Sequence, residues 1–385
     1  MLPLQAGAML GPLAGSGMLT LVPALSETYA VGVGTAGLAI TAYMVPFAIA
    51  QLLSGAVAQT LSARRTAAAG YAVFVGASLA CAWAPTLPAF LAFRFVQGLG
   101  SAFLFPILMA LVGEAVAPER LGRAFGIFGV TQTLGLTLGP LVAGFLEVHA
   151  GWQWFFLAQA GFAVACAAGF LALFRGERAP APTEGRGILA VAASALRERS
   201  VVLLSLAASA LFFSMMGTYT YLAAWLRETQ GVAEDRIGIV LGVAGVMGIP
   251  AAALAGRWID QLGRTTVALL GLAGYIAVLG LFLAVPYSYA GVVTLAALLG
   301  WTALVAWTAL NTLAVEIVPA LRQPVASIYN AFRFSGYALA PPALGLVYGR
   351  GRVAAVYLVC GLAAVAAAAL VAQLPPRRPD HSRTG

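Results

Sequence analysis

Lysine is absent from this chain of 385 residues: all 21 basic residues are arginine, and histidine occurs twice. Charge of either sign is scarce, at 9%, against roughly 25% in an ordinary soluble domain. With 61% hydrophobic residues and a mean hydropathy of +0.93, the chain has too little polar surface to cover a water-soluble fold. Cysteine is also sparse. Cys81, Cys166 and Cys360 lie far apart within apolar runs, which argues against a metal site or a disulfide framework. No cofactor is expected, and no catalytic constellation points to an enzyme. The net charge of +8 would suggest nucleic acid in a soluble protein. Here topology explains it, because basic residues collect in cytoplasmic loops. Arginine without lysine suits a GC-rich prokaryotic genome.

What the chain does have is apolar runs of about 20 residues, each long enough to cross a ~30 Å hydrocarbon core as a helix. Twelve are placed, at Leu2–Leu25, Thr35–Ala58, Thr66–Ala84, Leu87–Gly113, Arg123–Leu146 and Gly151–Phe174, then Val201–Leu226, Ile237–Ile259, Thr265–Val285, Tyr289–Val315, Gln323–Tyr348 and Val353–Leu374. The expected fold is an all-α polytopic membrane protein of two pseudo-symmetric six-helix bundles. The N-terminal bundle spans residues 1–174, a charged Pro/Gly-containing linker 175–200, the C-terminal bundle 201–374 and a tail 375–385. The N-terminus lacks a basic n-region, so it reads as the first span rather than a signal peptide. One set of loops, with the linker and tail, holds most of the arginines; the opposite set holds Arg227, Arg236, Arg350 and Arg352. The first set, with both termini, is expected in the cytoplasm of a prokaryotic inner membrane.

The halves repeat at a nearly constant offset. Glu27-Thr28 returns as Glu228-Thr229 and Gly55 as Gly256; Glu114, Arg120 and Pro140 return as Glu316, Arg322 and Pro342. Parallel six-helix repeats point to a secondary transporter with its site between the halves. Arg94 has Ala296 as its counterpart, so this charge lies outside the repeated scaffold.

Three stretches carry motifs. GAVAQTLSARRT places Gly55, Gln59, Arg64 and Arg65 between the second and third spans, and GRWIDQLGRT places Gly256, Asp260, Gly263 and Arg264 after the eighth. In the fourth span, Arg94, Gln97, Gly98 and Gly100 form R-x-x-Q-G-x-G, with Ser101 on the face of Arg94 and Gln97. In the fifth, Gly126, Gly135, Gly139 and Pro140 recur at long spacing, followed by Ala143 and Gly144. Together these resemble the major facilitator superfamily, and within it the twelve-helix drug:proton antiporters. The resemblance covers essentially the whole chain. It implies a latch in the two loops, with Gln59 where the family has Asp and the latch charge on Asp260 near Arg123. It implies a coupling role for Arg94 and an export-associated packing motif in the fifth span, where small residues meet a helix of the other half. Plain alternatives stand beside these: a topology-setting turn, an arginine ~10 Å from the outer helix end that snorkels to the surface, and a generic packing helix.

The same resemblance places spans one, four, seven and ten around a central cavity. Tyr43, Phe213, Met216, Thr220, Trp307 and Asn311 are candidates for its wall. Arg333 shares a face with Asn330 and Tyr337 and lies ~15 Å inside its span. It reads either as an intramembrane working residue or as a cytoplasmic anchor. No acid falls within a mid-membrane segment; relatives carry one before the proline matching Pro23, where this chain has GMLTLVP. The leading expectation is a monomeric, proton-coupled exporter of small, mostly lipophilic molecules working by alternating access, with the bilayer and protons as its other partners. An organic-anion exporter or exchanger using Arg94 and Arg333 is the alternative, and a non-transporting receptor or sensor the third.

Overall fold

The computed structural model describes residues 2–60, 63–114, 121–173, 195–318, 321–349 and 353–374. Among the described residues there are no strands. Twelve long helices run as α1 (Leu2–Thr28), α2 (Leu38–Thr60), α3 (Ala63–Ala82), α4 (Leu87–Glu114), α5 (Leu121–Ala150), α6 (Gln153–Leu173), α7 (Arg199–Glu228), α8 (Glu234–Leu262), α9 (Arg264–Ala284), α10 (Tyr289–Glu316), α11 (Arg322–Tyr348) and α12 (Val353–Ala372). Each lies within a few residues of its expected span. One helical turn, Val33–Ala36, precedes α2; it splits the start of the expected second span. Eleven spans are apolar enough to cross a bilayer by composition. The exception is α11, which carries Arg333, Asn330 and Ser335. Most of the 175–200 linker lies outside the described residues.

The duplication seen in sequence is carried through into packing. α1 packs on α5 as α7 packs on α11, α2 on α4 as α8 on α10, and α3 on α6 as α9 on α12. The two halves meet through α5 against α8 and α2 against α11, again a pair related by six helices. Small-residue contacts are what bring helices close when lipid supplies no hydrophobic drive between them.

Among the described residues, several of those contacts lie toward one end of the bundle, here called the Glu27 end; the opposite end carries the helix termini next to residues 174–194. Gly34 meets the backbone of Gly345, and Gly37 meets Pro341. The Thr41 hydroxyl donates to the Ala338 carbonyl at 2.7 Å. Deeper in, Phe47 lies edge-on to Phe334 with centroids 4.7 Å apart. On the other seam, Gly238 of α8 lies against the Pro140 carbonyl and Gly144 of α5 against the Glu234 backbone.

A Cβ at Gly144 would run into the Glu234 carbonyl, which is backbone and cannot swing aside. Gly144→Val is therefore expected to destabilise closure of the Glu27 end by about 1–3 kcal/mol, the usual range for overpacking. Spin labels at Thr35 and Leu346, exposed positions in opposite halves, should then report a longer distance population while the protein remains in the membrane. An unchanged distance would show that α5 and α8 can give way there.

Candidate functional site

Between the halves lies a cavity of about 340 Å³, within the size range of small-molecule sites. Its N-terminal wall comes from α1, α2, α4 and α5, including Gly7, Gly11 and Gly15 at four-residue spacing on α1. Its C-terminal wall comes from α7, α8, α10 and α11. The wall residues cluster around the middle of the helices, and the α5–α8 and α2–α11 contacts lie between them and the Glu27 end. Phe47, Phe212, Met44, Met215, Met216 and Leu304 give it an apolar, adaptable surface. Among the described residues no carboxylate lines it.

Of the expected wall residues, Ser101, Met216, Trp307, Asn311, Asn330, Arg333 and Tyr337 line the cavity. Tyr43, Phe213 and Thr220 do not. Thr220 is fully buried and its hydroxyl returns to the Met216 carbonyl at 2.7 Å. Tyr43 is fully buried, donates to the Gly11 carbonyl at 3.3 Å and sits beside Ser101. Phe213 packs against the core of buried side chains. It follows Phe212 by one residue, about 100° around α7, at the side of the strip of Phe212, Met215, Met216 and Tyr219 that lines the cavity.

Arg333 is in the cavity wall, not at the end of its helix. Its guanidinium carbon lies 5.1 Å from the Phe212 ring centroid, 5.2 Å from Trp307 and 4.3 Å from Phe334. Ring faces attract a cation in this way, which lets an arginine sit at membrane depth without an acid beside it.

Arg94 is enclosed by its own half. The residue is fully buried, so it neither snorkels nor lines the cavity. Its Nε donates to the Ala39 carbonyl of α2 at 3.2 Å and Nη2 to the Ala14 carbonyl of α1 at 3.4 Å. Nη1 donates to the Gln97 side-chain oxygen, and the Tyr43 ring lies 4.3 Å beneath the guanidinium. Gln97, also fully buried, donates on to Ser78 at 2.7 Å and to Gln159 of α6 at 3.0 Å. Among the described residues no carboxylate pairs with Arg94; two backbone carbonyls, an amide oxygen and an aromatic face share its charge. Only Ser101, at the far end of that motif, reaches the cavity.

The motif glycines of α5 divide between two neighbours. Gly135 lies against Met9 and Pro12, and Gly139 against Ser16, all on α1 of the same half. Gly144 meets the Glu234 backbone, and the Pro140 carbonyl lies against Gly238, both on α8 of the other half. The contact expected with a helix of the other half is thus made by Pro140 and Gly144, while Gly135 and Gly139 pack within their own half. The surroundings of Gly126 lie outside the described residues.

The latch residues are only partly described. Arg64 and Arg65 open α3, partly and fully exposed, while the surroundings of Gly55, Gln59 and Arg123 lie outside the described residues. Gly256 has open space around it, and Asp260 is exposed near the end of α8. Gly263 turns the chain into α9 at φ +84° and ψ 155°, a region accessible essentially to glycine. Arg264 pairs with Glu316 of α10, donating from Nη2 at 2.8 Å. The charge that Arg264 binds at this turn is Glu316 of the same half, and the Arg123 side of the expected latch lies outside the described residues.

An ionic cluster at the Glu27 end escaped sequence reasoning. Arg227 of α7 lies 3.1 Å from both Glu27 of α1 and Glu234 of α8, tying the halves together. Glu228 accepts from the Tyr348 hydroxyl at 2.7 Å. The outward position of Glu27, Arg227 and Glu234 was legible; their convergence needed the helix packing. The α1 glycine spacing was a readable signal for a cavity-facing strip.

A bundle of twelve spanning helices, built by duplication around one central cavity, defines a multi-pass membrane transporter. The profile of the Major Facilitator Superfamily matches residues 6–249 and 204–385, and the chain belongs to that family. It is 31% identical over 145 residues to a "Multidrug resistance protein B homolog" of Mycobacterium tuberculosis, covering 37% of this chain and 27% of that relative. It is 25% identical over 251 residues to a "Chloramphenicol resistance protein" of Streptomyces lividans, covering 65% and 64%. An uncharacterized MFS-type transporter, YceJ of Bacillus subtilis, is 23% identical over 340 residues, covering 85% and 84%. The chain spans from about a quarter to less than half the length of several curated relatives that it matches. Among solved structures, a D-xylose-proton symporter superposes with a TM-score of 0.76 at 17% identity, covering 97% of each chain. A POT family transporter in complex with 5-aminolevulinic acid gives 0.77 at 13%, covering 96% and 95%. At these identities the superpositions speak to the fold.

Proposed function

We propose that this transporter exports small, mostly lipophilic organic molecules by alternating access, coupled to proton antiport. The observation that carries the reading is the apolar cavity between the halves, which the α5–α8 and α2–α11 contacts bound on its Glu27 side. With the arginine-rich loops and both termini in the cytoplasm, access on this reading is from the cytoplasmic side, where an exporter loads. The motif in α5, which in the resembling antiporters accompanies export, supports the direction. Relatives named for multidrug and chloramphenicol resistance support the substrate range. With no carboxylate in the described cavity wall, Glu27, Glu147 and Glu234 at the Glu27 end are the candidate proton carriers. The protein works as a monomer in a prokaryotic cytoplasmic membrane on this reading.

The test is transport of a neutral lipophilic dye by purified protein in liposomes under an imposed pH gradient. Dye movement that follows the gradient and collapses with a protonophore is expected. Movement indifferent to the gradient would remove proton coupling, and no movement under any gradient would remove the export reading.

A further inference from the structure

The C-terminal wall of the cavity holds donors with no acceptor among the described residues. Arg333 Nε and Trp307 Nε1 are buried without a hydrogen-bond partner, as is the Tyr337 hydroxyl. Asn311 and Asn330 stand in the same wall, one helical turn from Trp307 and Arg333 respectively. Buried polar groups are paired in native proteins unless something else occupies the site. Arginine and tryptophan have no acceptor of their own, so whatever completes this wall must bring acceptor atoms.

The three rings around Arg333 decide how it can be completed. Phe212, Trp307 and Phe334 surround the guanidinium, and ring faces accept its charge while satisfying few of its N–H groups. The planar fork that remains matches a carboxylate better than any neutral group. No carboxylate pairs with Arg333 or lines the cavity among the described residues. The facing wall is of the opposite kind. Gly7, Gly11 and Gly15 line it beside Met44, Phe47 and Leu104, an apolar surface suited to a flat apolar body.

We propose that Arg333, Trp307 and Tyr337 form a subsite for an anionic oxygen group, so that preferred substrates are compact aromatic molecules bearing one carboxylate or phenolate. This rests on the reading of the cavity as the transport site and narrows its substrate class. Arg94 has no part in it, since it is absent from the cavity wall and each of its three nitrogens is already bonded, to Ala39, Gln97 and Ala14. Amines of the same shape meet a cation and a row of donors, and are disfavoured.

The test compares 1-naphthoate, 1-naphthamide and 1-naphthylmethylammonium, alike in shape, by calorimetric binding to the purified full chain in detergent. Naphthoate should bind tighter than naphthamide by about tenfold or more, the scale expected when a charge-assisted bidentate bond replaces neutral ones, and the ammonium should bind most weakly. Arg333→Gln should erase the naphthoate advantage while leaving naphthamide binding in place. Arg333→Lys should retain part of it. Trp307→Phe, which keeps a ring and removes one donor, provides a second variant should Arg333→Gln fail to fold, and should weaken naphthoate severalfold. Equal affinities for naphthoate and naphthamide in the parent protein, or an undiminished naphthoate preference in Arg333→Gln, would overturn the subsite. If the neutral dye is still transported in either case, the export reading survives that result. A naphthoate preference lost in Arg333→Gln without transport under any gradient would leave the subsite standing and remove the export reading.

Discussion

Arg94→Ala is expected to cost the protein its fold before it costs any selectivity. The side chain joins α4 to α1 and α2 through the Ala14 and Ala39 carbonyls, and through Gln97 to Ser78 of α3 and Gln159 of α6. Hydrogen bonds made by a charged donor are worth about 1.5–3 kcal/mol each. Truncation also leaves Gln97 with an amide oxygen unpaired in a fully buried site. A loss of about 3 kcal/mol or more follows, and with it a fall of roughly 10 °C in the melting temperature in detergent. Arg94→Lys should fall between the two, because an ammonium keeps the charge but not the fork that reaches three elements at once. Thermal melting of the purified variants decides the matter. A variant that melts with the parent protein yet no longer transports would return Arg94 to the coupling role that its motif suggests.

Arg227→Gln should open the Glu27 end much further than Glu27→Gln does. Arg227 touches both acids at 3.1 Å, but they differ in burial: the Glu27 side chain is 62% exposed and that of Glu234 is 6% exposed. An exposed pair contributes about 0–1 kcal/mol, so losing Glu27 changes little. Losing Arg227 leaves the Glu234 carboxylate buried without its cation. The cost is about 2 kcal/mol after allowance for the partial exposure of Arg227, enough to shift the balance between closed and open ends more than tenfold. Spin labels at Thr35 and Leu346, exposed positions in opposite halves, would report the change as a longer distance population. Equal opening in the two variants would mean that the cross-half pair with Glu27, and not the buried acid, holds the end shut.

Much of the architecture could be read without coordinates, because the bilayer imposes it. A run of about 20 apolar residues has one stable form in hydrocarbon, a helix that satisfies its own backbone. All twelve expected spans return as helices, and α11 falls short of the apolar criterion for the same reason that it stood out in sequence, Arg333 among Asn330 and Tyr337. The offset linking Glu27 to Glu228 and Pro140 to Pro342 likewise anticipated the packing of α1 on α5 and α7 on α11. The wall of α10 and α11 was legible because residues three and four apart must share a helical face.

Depth along a helix can be counted from sequence, but the direction of a face is set by which neighbour packs against it. Arg94 and Arg333 are both arginines inside apolar spans. One is enclosed by α1, α2, α3 and α6, where carbonyls and amides consume its donors; the other faces the gap between the halves, where rings hold it and its Nε stays unpaired. Thr220 and Tyr43 were misplaced for the same reason. The chain alone determined a twelve-helix duplicated membrane transporter and the positions of its few charges. Tertiary structure decided which charge is scaffold and which meets the cavity, because only the packing of helices separates a side chain's burial from its place in sequence.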